Sequence, residues 1–256
     1  MKIAILGGRG FIGSAITREL SKKHIFFIVQ PELKNTLDSL IVFKPDVIIN
    51  ACASLPSASE IESRIANFDY PLSVFELILE KLTYSFTWIQ IASYYELELP
   101  LGRNDPYTKH KFEFRNLLEI ECNSKNKVLR TLILPHVIGK GERPNRLVGT
   151  AIKSIRENQE LHLENPNIML PILIIDDAIR ALAEFLENDQ SIAYAIPIWY
   201  GSNRRLIKVI SEYLGKESLN SDYLPEAPIG IGKATFPPKV HGWMPLVSLE
   251  EYVRTF

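Results

Sequence analysis

The chain has 256 residues, with 29 Lys and Arg against 30 Asp and Glu for a formal net charge of −1, and 46% of it is hydrophobic. That is an ordinary globular composition, enough for one large domain or a domain with a smaller lobe, held together without disulfide or metal. A near-neutral balance without a basic run gives no electrostatic reason to bind nucleic acid or an anionic membrane, and the longest apolar run, 168–175, is broken by Pro171 and too short to cross a bilayer.

From the first residue, runs rich in Ile, Val and Phe alternate with helical patterns, as in βαβ units around a parallel sheet. Strands are predicted at 2–6, 25–29, 47–50, 88–92 and 129–134, and helices at 11–21, 33–42, 57–67, 71–82, 106–120 and 145–158. Right-handed crossovers then give an α/β fold, a doubly wound parallel sheet that takes ligands at the carboxyl ends of its strands. After about residue 140, Pro144, Pro166, Pro171, Pro197, Pro225, Pro228, Pro237 and Pro238 cut the pattern into short pieces, with helices at 176–187 and 205–214. The opening stretch MKIAILGGRGFIG has neither the length nor the flanks of a signal peptide, and Cys52 and Cys122 lack CxxC spacing. A reduced, cytoplasmic protein with two structural thiols and no bound metal is expected.

Between the first strand and the first helix stands Gly7-Gly8-Arg9-Gly10-Phe11-Ile12-Gly13. Glycine permits positive φ and a close backbone approach, so the amides of this turn and the helix N-terminus, at Gly7, Gly10, Phe11 and Ile12, can hold a pyrophosphate. The domain over 1–158 is therefore read as an NAD(P)-binding Rossmann domain, and 159–256 as a smaller C-terminal substrate-binding lobe with some segments returning to the sheet. A carboxylate at the end of the second strand would accept the 2′-OH of NAD, but Gln30 stands there, followed by Pro31. Arg9, with Lys34 as a second basic candidate, could meet a 2′-phosphate, so NADP(H) is favoured over NAD(H). A solvated loop arginine is the alternative for Arg9.

Tyr107 and Lys111 form Y-x-x-x-K on a predicted helix, where i, i+4 spacing puts both on one face. Ser93, fourteen residues before Tyr107, ends the fourth strand, so a serine at the mouth of the sheet can face a helix-borne Tyr and Lys. An ammonium beside a phenol is expected to lower its pKa and make Tyr107 an acid or base near neutral pH, while Ser93 holds the reacting oxygen. Lys109 and His110, on other faces of the helix, read as surface residues.

In this order, the glycine turn, Ser93, Tyr107 and Lys111 resemble the extended short-chain dehydrogenase/reductases, and within them the NAD-dependent epimerase/dehydratase family. The resemblance implies hydride transfer at a carbonyl carbon, with Lys111 also on the nicotinamide ribose. Lys44-Pro45-Asp46-Val47-Ile48-Ile49-Asn50-Ala51-Cys52-Ala53 is similar to that family's third strand and N-A-A segment beside the cofactor, and Asn67 to its structural asparagine. Pro135-His136-Val137-Ile138-Gly139 resembles its P-N-V-Y-G segment along the nicotinamide, with histidine where asparagine is usual. Gly242-Trp243-Met244-Pro245 and Val247-Ser248-Leu249-Glu250-Glu251 resemble the C-terminus of nucleotide-sugar epimerases, dehydratases and reductases, although a helix cap at Ser248 explains the second stretch locally.

Within that family, a 4,6-dehydratase carries Asp-Glu directly after its active-site Ser or Thr, whereas Tyr94 and Tyr95 follow Ser93 and Glu96 is displaced. A 4-epimerase usually holds NAD with the acid that Gln30 replaces. The resemblance therefore implies an NAD(P)H-dependent reductase of a nucleotide-linked 4-keto-6-deoxy sugar, as in deoxysugar and polysaccharide biosynthesis. A nucleotide-sugar epimerase and a non-catalytic NADP(H)-binding regulatory protein are the alternatives. Arg143 and Arg146 are candidates for the substrate phosphates, with solvated surface positions as the other reading, and His136 for a substrate contact or a satisfied core histidine. Asp176 and Asp177 are read as capping the helix they open. A homodimer through the helices at 71–82 and 106–120 is expected.

Overall fold

The computed structural model describes residues 1–30, 33–101, 103–143, 145–216 and 235–255; Pro31, Pro144, Pro225 and Pro228, and the side chain of Lys34, lie outside the described parts. In chain order the strands are β1 (Lys2–Leu6), β2 (Ile25–Ile28), β3 (Val47–Asn50), β4 (Thr87–Ser93), β5 (Val128–Leu134), β6 (His136–Ile138), β7 (Met169–Ile174), β8 (Ile192–Tyr194) and β9 (Trp199–Ser202). The helices are α1 (Phe11–Leu20), α2 (Leu33–Phe43), α3 (Glu60–Arg64), α4 (Tyr70–Lys81), α5 (Pro106–Ser124), α6 (Leu147–Arg156), α7 (Ile175–Glu187), α8 (Asn203–Tyr213) and α9 (Leu249–Thr255).

Six strands form one wholly parallel sheet in the order β2-β1-β3-β4-β5-β8. The strand order reverses between β1 and β3, which opens a crevice at the carboxyl ends of those two strands. Both faces are covered, so the strands are apolar throughout and their residues divide by alternation. Ile3, Ile5, Ile49, Ile89 and Ile91 face α1, α7 and Trp243, while Ala4, Leu6, Ile48 and Trp88 face α4 and α5. Trp88 is fully buried edge-on to Phe75 at a centroid distance of 5.0 Å.

Strands β6, β7 and β9 make a second sheet, β6 parallel and β9 antiparallel to β7. The apolar run considered above only for its length is thus the centre of this small sheet, packed with α6, α8 and α9 into a separate core. The five strands expected from the sequence stand within one residue of their predicted bounds. The two helices expected at 57–67 and 71–82 form one continuous helical run, with a π-helical turn, Ile65–Asp69, between α3 and α4. Pro71 brings no N–H to that junction, so one backbone hydrogen bond of the run is missing there. Among the described residues no helix is long and apolar enough to cross a membrane.

The two acids opening α7 play different parts from the expected cap. Asp176 is exposed, and Asp177, 1% exposed, accepts the amides of Leu246 (3.0 Å) and Val247 (3.1 Å) while pairing with Arg180. Arg180 in turn donates to the Met244 carbonyl at 2.9 Å, so one buried carboxylate ties the C-terminal segment to the main domain. That segment ends in a capping box, Ser248 with Glu251, that starts α9.

Removing this anchor strands two amides and an arginine. Asp177→Ala is expected to lower the unfolding free energy by about 2–3 kcal/mol in urea titration, and Asp176→Ala by less than about 0.5 kcal/mol.

Candidate active site

The glycine turn packs as a backbone junction. Gly7 has φ +74°, and a Cβ there would sit 2.8 Å from the backbone of Ala51 and Cys52; one at Gly13 would sit 2.1 Å from the Gly7 oxygen. Gly10 precedes α1 without any side-chain cap, which leaves the amides of the first turn directed outward beside Phe11 and Ile12. These residues line a cleft of about 500 Å³ together with Ala51, Ala53, Ser93, Tyr107, Pro135 and Val137. A cradle that a Cβ would fill and an uncapped helix N-terminus fit the pyrophosphate of a nicotinamide dinucleotide.

Ser93 is the last residue of β4, and Tyr107 and Lys111 stand one turn apart on α5. That helix begins sharply because Asp105 caps it, accepting from the Thr108 amide at 2.9 Å, with Pro106 following. The structure places Ser93 and Tyr107 together on the wall of the same cleft. Lys111 is 4% exposed, donates to the Ile91 carbonyl at 3.1 Å, and lies 5.9 Å from the Tyr107 ring centre.

The expected lowering of the phenol pKa is not what this environment gives. Burial raises Tyr107 well above the ordinary tyrosine range, against the hydrogen bond from Ser93, and Glu96, Tyr95 and Asp105 raise it further. Burial lowers Lys111, which Glu96 and Cys52 oppose. Tyr107 is therefore held as a phenol, a proton donor. Burial likewise pushes the Cys52 thiol up to about 12, so it stays a thiol.

On the far side of the cleft, Arg146 bonds Glu142 at 3.1 Å and places one guanidinium nitrogen 3.4 Å from both ring nitrogens of His136. Burial, and then Arg146, push His136 down to about 3, so it is neutral at physiological pH. Arg143 also lines the cleft and is exposed.

The remaining predicted residues do not line the cleft. Arg9 is exposed, and Gln30 lies two residues past the edge strand β2, where its carbonyl accepts from the Tyr70 hydroxyl at 3.4 Å. Asn50 is buried and turned inward, donating to Gln90 (3.0 Å) and accepting the Cys52 amide (3.0 Å), so it shapes the Ala51–Ala53 wall. Asn67 sits in the π-helical turn and bonds Ser54 and Ser63. His110 is not a surface residue: it is 4% exposed and its Nδ1 lies 3.1 Å from Ser63 Oγ, because α3 covers that side of α5.

Sequence reasoning missed Tyr94 and Tyr95 as cleft walls, Glu62 and Glu142 as its carboxylates, and the Glu96–Arg115 pair behind Ser93. Arg115 was legible in principle, since it continues the i, i+4 spacing of Tyr107 and Lys111. Glu142 and Glu96 carried no local signal.

A dinucleotide cradle at the switch point of a doubly wound sheet, beside a Ser, Tyr and Lys cluster, defines the class. The model of the NAD dependent epimerase/dehydratase family matches residues 3–196, and the chain belongs to that family. It is 26% identical over 214 residues to the CDP-abequose synthase of Yersinia pseudotuberculosis, covering 74% of each chain. Its fold is similar to that of the UDP-glucuronic acid 4-epimerase of Bacillus cereus solved with UDP-glucuronic acid and NAD, with TM-score 0.78 and 18% identity over 99% of this chain and 97% of that one. It is also similar to RMD of Pseudomonas aeruginosa solved with NADPH, with TM-score 0.73 and 16% identity over 99% and 96%.

Two outcomes test this geometry. Gly10→Ala meets only the Gly7 oxygen, at 3.3 Å, in an extended backbone that alanine adopts freely. It is expected to keep the wild-type melting temperature and to weaken dinucleotide binding, read by nicotinamide fluorescence, about tenfold or more. For His136, the folded value lies below the ordinary 6.5, so the unfolded chain binds the extra proton first. Its contribution is complete above about pH 6.5 and is lost as pH falls towards 3, and His136→Gln should show a shallower acid loss of stability over that window.

Proposed function

We propose that this protein is an NAD(P)H-dependent reductase of a nucleotide-linked 4-keto-6-deoxy sugar. The observation that carries the reading is the state of the acids around the cleft. Tyr107 is a half-buried phenol on the same cleft wall as Ser93, whereas the carboxylates nearby are engaged: Glu62 with Ser59, Glu142 with Arg146, and Glu96 with Arg115. A dehydration at C5 and C6 needs a further acid and base beside the serine, where Tyr94 and Tyr95 stand. A single proton donor suits a single carbonyl reduction. The likeness to a CDP-abequose synthase supports testing cytidine diphosphate sugars first.

The bound nicotinamide would supply a hydride to the C4 carbonyl carbon. Ser93 hydrogen-bonds and orients the carbonyl oxygen, and Tyr107 gives that oxygen its proton as negative charge develops, so that the ketone becomes an alcohol. Lys111, fixed by the Ile91 carbonyl, is the cation on the same helix face that meets the phenolate left behind. The amides at Gly10, Phe11 and Ile12 and the walls at Ala51, Ala53, Pro135 and Val137 would hold the dinucleotide. Preorganised donors at the reacting oxygen and exclusion of water lower the barrier.

NADP(H) is the proposed cofactor, supported by the exposed Arg9 within the turn and the neutral Gln30 just after the edge strand. Arg143 and Arg146 are proposed for the substrate phosphates and His136 for a neutral contact to the sugar, with residues 159–256 as the substrate lobe. A homodimer through α4 and α5 is proposed as well, to be checked by light scattering after gel filtration.

The test follows nicotinamide absorbance with CDP- and dTDP-4-keto-6-deoxyglucose. NADPH oxidation by the wild type, falling about 10²–10⁴-fold in Tyr107→Phe, is expected. Absence of oxidation with cofactor still bound overturns the reductase in favour of the epimerase or the non-catalytic reading. A second comparison, Arg9→Ala, should raise the KM for NADPH about tenfold and leave that for NADH within about twofold.

A further inference from the structure

Ser93 and Tyr107 lie on different elements, a strand end and a helix, joined by the short 94–105 connection. A single side chain spans the two. Glu96 Oε1 accepts the Ser93 amide at 2.8 Å, and Glu96 Oε2 accepts from Arg115 Nε at 2.8 Å. The side chains are 1% and 13% exposed, and Arg115 is also held by Glu119 at 3.0 Å. On α5, Tyr107, Lys111 and Arg115 follow one another at i, i+4 and i+8, so the arginine is on the face that carries the other two.

The serine is fixed twice. Its amide is given to Glu96, and its hydroxyl oxygen accepts the Tyr95 amide at 3.3 Å, which leaves the hydroxyl hydrogen directed elsewhere. A carboxylate this buried stays in place only with a cation and hydrogen bonds to satisfy it, and here both come from the two elements it joins. Tyr107 and Lys111 face each other at 5.9 Å, Tyr95 and Asp105 also bear on Tyr107 and Cys52 on Lys111, and Glu96 bears on both.

We infer that Glu96, clamped by Arg115, is a positioning residue that fixes the separation of the Ser93 and Tyr107 hydroxyls. It does not line the cleft and touches no reacting atom. Its kinetic consequence rests on the reductase reading; its geometric consequence does not. A misplacement on the ångström scale at a reacting pair costs on the order of a hundredfold in rate, so the effect belongs to kcat.

The test compares crystal structures and kinetics of the wild type, Glu96→Ala, Glu96→Gln and Arg115→Lys. In Glu96→Ala the Ser93 Oγ to Tyr107 Oη distance is expected to grow by about 0.5 Å or more. There kcat should fall about 10–100-fold, with the KM for NADPH within about twofold of wild type. Glu96→Gln keeps an acceptor for the Ser93 amide and should recover most of the loss; Arg115→Lys should fall between. An unchanged hydroxyl separation overturns the inference, and so does an effect confined to KM. If the alanine variant does not fold, the glutamine and lysine variants make the same comparison. If the wild type reduces no keto sugar, the reductase reading falls and the hydroxyl separation still decides the role of the pair.

Discussion

A Cβ at position 13 would stand 2.1 Å from the Gly7 oxygen, and one at position 7 would stand 2.8 Å from the backbone that follows β3. Three backbones therefore meet where no side chain fits: the end of β1, the start of α1 and the exit of β3. The rest of the site takes its position from that junction. Because α1 begins so close to the sheet, its uncapped amides open onto the crevice between β1 and β3, and Ala51 and Ala53 become the opposite wall. Register then carries the effect across the sheet, since Leu6 pairs with Asn50 and Asn50 with Gln90, three residues before Ser93.

Beyond the junction, the site is built by removing water from polar groups and then satisfying them. Asn50 bridges Gln90 and the Cys52 amide, Asn67 bridges Ser54 and Ser63, and Lys111 is spent on the Ile91 carbonyl. Each bond fixes a wall of the cleft without occupying it. The same burial sets protonation states: Tyr107 remains a phenol, Cys52 a thiol and His136 a neutral imidazole. Arg143 then brings positive charge to the far wall, where Arg146 is paired with Glu142 and His136 is neutral.

Much of this was legible in the sequence because the signals were local. Five parallel strands are apolar on both faces, so Lys2–Leu6 and Val47–Asn50 were read to the residue, and the glycine turn and Y-x-x-x-K announce themselves by spacing. What escaped reading was set by tertiary contacts. Strands of three to six residues in the smaller sheet are too short to show a period, and β7 looked only like an apolar run. His110 is polar in sequence and buried in fact, because α3 packs over a face that helical periodicity of α5 alone leaves open. Asp177 sits where a cap belongs, yet its partners lie about seventy residues away. The same holds for the phenol of Tyr107: the i, i+4 lysine is visible in sequence, whereas the desolvation that raises the phenol's pKa is a property of the packed site.

The placement of carboxylates ties these threads together. A nicotinamide-dependent site on this fold can lead to several reactions, and what separates them is which acids and bases face the substrate. Here each nearby carboxylate is paired with a cation or a cap, and the residues after Ser93 that could carry further acids are tyrosines packed at a tilt with centroids 4.1 Å apart. Glu96, the nearest carboxylate in sequence, is turned behind the strand to Arg115, where it serves the geometry of Ser93 instead of the chemistry in front of it. A carboxylate facing the cleft would compete with Tyr107 for the proton and would add charge opposite a developing alkoxide. On the proposed reading, turning Glu96 inward removes that competition, and the same carboxylate holds the Ser93 amide and Arg115.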